Sequence, residues 1–244
     1  MIVRQSCRLL RTADRRLRPI LIRSGFTRSS WPLTAALADL ILDPWSDVTL
    51  YERSYAVSDD PWSYLTKPGE LARHRLAVEL LDQVHGDELF ERALEIGCAE
   101  GVFTEALAAR CKSLLAVDFS KTALGRAQRR RDWGENVRFA HWDLRRDPIP
   151  GRFDLVVVMD VFNNLVRPPA LRRAITKVAD CTTSDGYLLV GNYREDRSFE
   201  AHRWAKWLTR GGKWINATVA KHPLLTTVTA AETDTHVFAV LRKS

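Results

Sequence analysis

Glu95, Gly97, Gly101 and Asp118 fall within one stretch, ALEIGCAEGVFTEALAARCKSLLAVDFS (93–120), at a spacing that suits a small nucleoside. Neither glycine carries a Cβ, so backbone can approach a ligand closely there. Asp118 follows Gly97 by 21 positions and closes the next apolar run. A carboxylate at that point can accept two hydrogen bonds from a ribose diol. Ala99 stands where a dinucleotide fingerprint would carry another glycine, and Glu100 crowds the same turn. A pyrophosphate wants bare N–H groups at a helix N-terminus; here it would meet Glu95 and Glu100. A cationic nucleoside would instead be attracted by them. Ala99 is expected at an ordinary negative φ. A third acid, Asp143, closes the following apolar run and is placed to accept from an adenine amino group.

The elements that must position these residues follow from periodicity. Residues 69–83 carry a helical apolar stripe. Strand 93–98 leads to helix 102–110, and strand 113–119 to helix 120–131 with Ser120 as N-cap. Strands 136–144 and 153–162 come next, then helix 169–181, opening on a proline pair. Strand 187–193, helix 212–221 and two runs, 224–230 and 235–243, complete the chain. The short polar turn AETD joins the last two as an antiparallel hairpin. Continuous apolar strands alternating with helices indicate a parallel sheet covered on both faces. Ligands of such sheets sit at the carboxyl ends of the strands, where strand order reverses.

The motif order ALEIGCAEGVFTEALA, LLAVDFS, FAHWDL, FDLVVVMDVFNNL resembles the class I S-adenosylmethionine-dependent methyltransferases. S-adenosylmethionine carries an ammonium, a sulfonium and a ribose diol, which suits the acids above. The stretch YERSYAVSDDPWSYLTKPGELARHRLAVELL, ahead of the glycine turn, is similar to the nodulation-type methyltransferases that modify chitooligosaccharides. The resemblance implies an α/β Rossmann-like fold, a mostly parallel seven-stranded sheet with an antiparallel last strand, and an N-terminal helical cap. It implies that Glu95, Gly97 and Gly101 hold the methionine moiety and Asp118 the ribose. Phe119 would lie beside the adenine, with Asp143 on its amino group and Leu144 flanking. Asp160 would stand near the cofactor's amino acid end and the acceptor. Tyr64 belongs to an aromatic cluster, with Tyr51, Tyr55 and Trp62, that could cover a sulfonium by cation–π attraction.

Methyl transfer from sulfonium is an in-line displacement whose main demand is alignment. An amine acceptor needs only to lose a proton, whereas a hydroxyl needs a base or a metal. The candidate bases are His202, His141 and Asp160; no spacing demands a metal. His202 lies in the polar, aromatic segment REDRSFEAHRWAKWLTRGGKW (194–214), where this fold builds an acceptor lid.

The net charge of +7 is concentrated in residues 1–30, which hold eight arginines and one acid. The other 214 residues carry 29 basic and 29 acidic side chains, so the body offers no phosphate-tracking surface and no nucleic-acid partner is expected. The arm reads as a transit-peptide-like segment, an amphipathic membrane-surface helix or a solvated extension. The expected divisions are the basic arm 1–30, a cap 31–86 and a cofactor-binding core 87–244. Four cysteines without paired spacing fit reduced thiols in a cytoplasmic protein. The expected activity is methylation of a hydroxyl or amine on a small molecule or saccharide. The alternative is a cofactor-binding accessory protein recruited to membranes by its arm.

Overall fold

The computed structural model describes residues 45–64, 67–149, 151–165, 168–194 and 211–244. The arm, His202 and most of 194–214 lie outside the described residues. Two helices lead in: α1 (Trp45–Val57) and α2 (Pro68–His85), the latter opened by a proline. The core then runs β1 (Ala93–Ile96), α3 (Val102–Ala108), β2 (Leu114–Asp118), α4 (Lys121–Arg129), β3 (Val137–His141) and β4 (Phe153–Met159). A short 3-10 turn (Phe162–Asn164) precedes α5 (Pro168–Cys181), β5 (Thr182–Tyr193), α6 (Gly212–Val219), β6 (Leu225–Glu232) and β7 (His236–Lys243). Among the described residues no helix is long and apolar enough to cross a membrane.

The seven strands form one sheet in the order β3-β2-β1-β4-β5-β7-β6. The first five are parallel, and β7 runs antiparallel to both β5 and β6. Period two divides each strand between two cores. Leu94, Ile96, Val156, Val158, Leu188 and Val190 pack with α5 and α6. Ala93, Leu155, Val157 and Leu189 pack with Ala77, Leu80 and Leu81 of α2 and Phe103 and Leu107 of α3. Both faces are therefore covered, as continuous apolar strands require.

This alternation places the site. Glu95 shares its parity with Ala93 and so faces α2 and α3, buried beneath them. Strand order reverses between β1 and β4, which are hydrogen-bonded neighbours. The crevice at their carboxyl ends is bounded by Gly97 on one side and Asp160 and Val161 on the other. Because β7 is antiparallel, its first residue, His236, lies at this same rim, in register with Tyr193 at the end of β5.

Candidate active site

The turn after β1 is built from backbone that favours glycine. Gly97 has φ +81°, and a Cβ there would lie 2.4 Å from Val161 Cγ2. Gly101 has φ +77° and brings α3 close to α4; a Cβ would lie 3.2 Å from both Ala127 Cβ and Trp133 Cζ2. Ala99 corrects the expectation of a negative φ: it sits at φ +49°, in the left-handed region. The turn keeps its shape without the glycine because the Asp118 carboxylate accepts Ala99 N–H at 2.9 Å. That bond offsets part of the roughly 1–2 kcal/mol that an alanine incurs there.

Asp118 ends β2 and is almost wholly buried. Its other oxygen accepts Ser120 N–H at 2.8 Å. Burial pushes its carboxyl up to about 6, against the opposing pull of the Ser120 and Ala99 N–H groups. Glu95 accepts the Thr104 hydroxyl at 2.6 Å, and burial pushes it up to about 7. Glu100 was expected to add negative charge to the pocket; instead Arg126 Nη1 donates to it at 2.7 Å. Its charge is matched by that guanidinium, so it contributes little attraction for a cation.

A cavity opens between the ends of β1 and β4 and the helices α2 and α3. Tyr64, Arg73, His74, Glu95, Gly97 and Ala99 are among the residues that line it. Arg73 reaches it from the buried stripe of α2, which continues through Ala77, Leu80 and Leu81. Its Nε donates to Glu70 at 2.6 Å, and its Nη1 lies 3.2 Å from Asp160 Oδ2. Tyr64 lies against its guanidinium, 5.3 Å from ring centroid to Cζ. His74 packs tilted between Tyr64 and Phe103, and burial presses its imidazole down to about 3, so it is neutral.

Asp160 follows β4 at φ +54°. It is held by Arg73, by Asn163 Nδ2 at 3.1 Å and by His236 Nε2 at 3.2 Å. Burial opposes its ionisation, but His236 and Arg73 outweigh that and hold the carboxyl at about 2. Its side chain is 27% exposed, so a ligand can reach it.

The nucleoside candidates lie on the far side. Phe119 packs edge-on to Tyr51 at 5.2 Å. Asp143 is clasped by Arg145 through its backbone N–H at 2.9 Å and Nε at 3.1 Å. Burial opposes the charge of Asp143, yet these bonds keep its carboxyl below the ordinary range. Leu144 is buried beside it. His141 is exposed at the end of β3, its Nε2 3.0 Å from Phe119 O. Three strand spacings, roughly 14 Å, separate β3 from β4. His141 and Asp160, both named as candidate bases, are therefore not brought together.

Helix α1 spans the two sides. Glu52 accepts Lys121 N–H at 2.6 Å, capping α4, which also has Ser120 as its N-cap. Arg126 of α4 returns the contact, donating to the carbonyls of Tyr55 and Ser58 at the end of α1. Tyr51 reaches across to Asn164 after β4, donating its hydroxyl at 2.7 Å. Of the aromatic cluster, Tyr51, Tyr55 and Trp62 pack on one another, and Tyr64 alone lines the cavity.

Sequence reasoning missed Arg73 and His236. Arg73 had a signal: a cation on an apolar helical stripe. So did His236: it opens an antiparallel strand, whose start must share the rim with the parallel strand ends. Arg126 and Glu52 had none, since exposed helix charges pair in many ways.

Comparison with known proteins fits this geometry. A family model described as nodulation protein S (NodS) matches residues 45–209. Nodulation protein S from Bradyrhizobium diazoefficiens is 33% identical over 147 residues, covering 60% of this chain and 68% of that protein. The Rhizobium tropici protein is 32% identical, over 57% of each. The crystal structure of the N-methyltransferase NodS from Bradyrhizobium japonicum with S-adenosyl-L-homocysteine aligns with a TM-score of 0.69. It is 27% identical, over 80% of this chain and 97% of that one. With the family model spanning most of the described core, the chain belongs to the NodS family of S-adenosylmethionine-dependent methyltransferases.

Proposed function

We propose that this protein transfers a methyl group from S-adenosylmethionine to the amine of an amino saccharide, in the chitooligosaccharide class. The observation that carries the reading is the likeness to a NodS N-methyltransferase solved with S-adenosyl-L-homocysteine. The residues fit that nucleoside. The missing Cβ of Gly97 leaves room beside Val161, and Asp118 retains acceptor capacity on each oxygen for a ribose diol. Phe119, Asp143 and Leu144 flank the adenine in this reading, while Glu95, Gly97, Gly101 and Tyr64 enclose the methionine end.

Bound S-adenosylmethionine supplies the methyl carbon, whose C–S bond breaks as the acceptor C–N bond forms. Asp160 accepts an N–H of the neutral acceptor amine and so aims the nitrogen lone pair. Held at about 2, it is a poor proton sink; the methylated ammonium loses its proton to solvent. An amine tolerates this because it needs no strong base, whereas a sugar hydroxyl would. This favours N- over O-transfer. His202, named from the sequence as a candidate base, lies outside the described residues, and transfer to an amine does not require it. Of the cap 31–86, the described helix α1 meets the core 87–244 through Glu52 and Arg126. The arm 1–30 is assigned no part in the chemistry.

The test is methyl transfer from labelled S-adenosylmethionine to partly N-deacetylated chitooligosaccharide, with the fully N-acetylated form as control. Label only in the free-amine saccharide is expected. Equal label in both would overturn N-transfer, and no label in either would overturn the saccharide reading.

A further inference from the structure

Tyr193 is the one exposed aromatic among the large apolar side chains of the described residues, and it stands at the rim of the site. The other exposed members of that set, Val57, Leu71, Leu89, Leu224 and Val228, are aliphatic. Tyr193 is 38% exposed while its ring is still in contact with the protein, so part of it is open to a ligand.

Its position ties it to the reacting end. The parity of β5 puts Tyr193 on the face of Leu189, the face covered by α2. Its register partner across the sheet is His236, the first residue of β7. Its ring meets His236 edge to face, with centroids 5.3 Å apart and planes at 89°. His236 in turn lies 3.2 Å from Asp160 and takes up Thr235 Oγ1 through Nδ1 at 2.9 Å. Sheet register and ring contact thus both tie the ring to the histidine that bonds Asp160, the carboxylate that receives the acceptor amine in this reading.

A pyranose has one face of C–H groups and a rim of hydroxyls. A tyrosine matches both, with an apolar ring and a polar tip, and loses little rotamer entropy. We infer that Tyr193 is the platform on which the amino-sugar ring rests, a specificity-determining residue for the saccharide acceptor. The inference rests on the amino-saccharide reading above. The ring fixes the plane of the sugar while Asp160 takes its amine, so together they set which amine faces the methyl group.

Steady-state kinetics on the full chain with partly N-deacetylated chitooligosaccharide tests this, alongside calorimetry with S-adenosyl-L-homocysteine. Tyr193→Ala is expected to raise KM for the saccharide at least tenfold and leave the Kd for S-adenosyl-L-homocysteine within twofold. Tyr193→Phe and Tyr193→Trp should stay within about threefold of the parent KM. Should Tyr193→Ala lose S-adenosyl-L-homocysteine binding, Tyr193→Leu keeps apolar bulk over His236 and must still lose the saccharide. A parent KM in the alanine or leucine variant overturns the platform and leaves the proposed function standing. If the parent protein itself labels no amino saccharide, the proposed function fails, and the platform with it.

Discussion

The carboxylate of Asp118 accepts the backbone N–H of Ala99 at 2.9 Å, so the acid that ends β2 braces the turn that follows β1. One side chain thereby serves two elements. Asp118→Ala should weaken binding of S-adenosyl-L-homocysteine by about 1.5–3 kcal/mol, the range for charge-assisted hydrogen bonds. It should also lower the melting temperature of the ligand-free protein, since the turn loses its brace. Unchanged heats in calorimetry would exclude the ribose role.

The same turn separates two kinds of positive φ. Gly97→Ala would place a Cβ 2.4 Å from Val161 at φ +81° and should cost about 3 kcal/mol. Ala99→Gly relieves a strained residue at φ +49°, partly offset by the larger entropy of an unfolded glycine. A gain of about 0.5–1 kcal/mol in urea denaturation is expected. A loss of stability in the glycine variant would refute the strain assigned to Ala99.

Buried acids set the pH response. Asp118 is raised to about 6 and Glu95 to about 7, whereas both titrate near 4 when unfolded. Between those values the native state holds more protons than the unfolded state, so its stability falls as pH rises from ~4 to ~7. The melting temperature of the ligand-free protein should be higher at pH 5.5 than at pH 7.5, and Glu95→Gln should flatten that slope. Asp160, lowered to about 2, acts with the opposite sign. Its contribution is present above ~4 and is lost as pH falls toward 2.

Asp160→Asn keeps the shape but leaves Arg73 with Glu70 as its remaining carboxylate partner. Because Glu70 still pairs with Arg73 and Asp160 is partly exposed, the loss in stability should fall below the roughly 3–5 kcal/mol of an uncompensated buried charge. Methyl transfer should fall at every pH above 4, with no shift in the acid limb, because Asp160 is ionised throughout that range. An acid limb that moves in the asparagine variant would contradict the low value assigned to Asp160.

Arg126 holds α1 to the turn, through the Tyr55 and Ser58 carbonyls and Glu100. Arg126→Met should speed proteolysis within residues 45–64 and raise the dissociation rate of S-adenosyl-L-homocysteine. Unaltered cleavage rates would show that α1 is held by other contacts.

The order of strands and helices and the glycine turn could be read along the chain, as could the acids at successive strand ends. Both rest on local rules: apolar periodicity repeats every two or 3.6 residues, and a turn with left-handed backbone favours glycine within a few positions. Ser120 was likewise legible as the cap of α4, because its partner is Ala123, three residues on. Pairing between distant side chains was not legible. Asp160 and His236 lie 76 residues apart and meet only because β7 runs antiparallel beside β5. Glu100 reads in sequence as a free charge at the site, and only the placement of α4 against the turn gives it to Arg126. The backbone at Ala99 was misjudged for the same reason: residue type alone favours negative φ, and the hydrogen bond that overrides it comes from another strand. Local chemistry determined which elements form and where a nucleoside could bind. The sheet order decided which charges neutralise one another and which carboxylate stays open to a ligand.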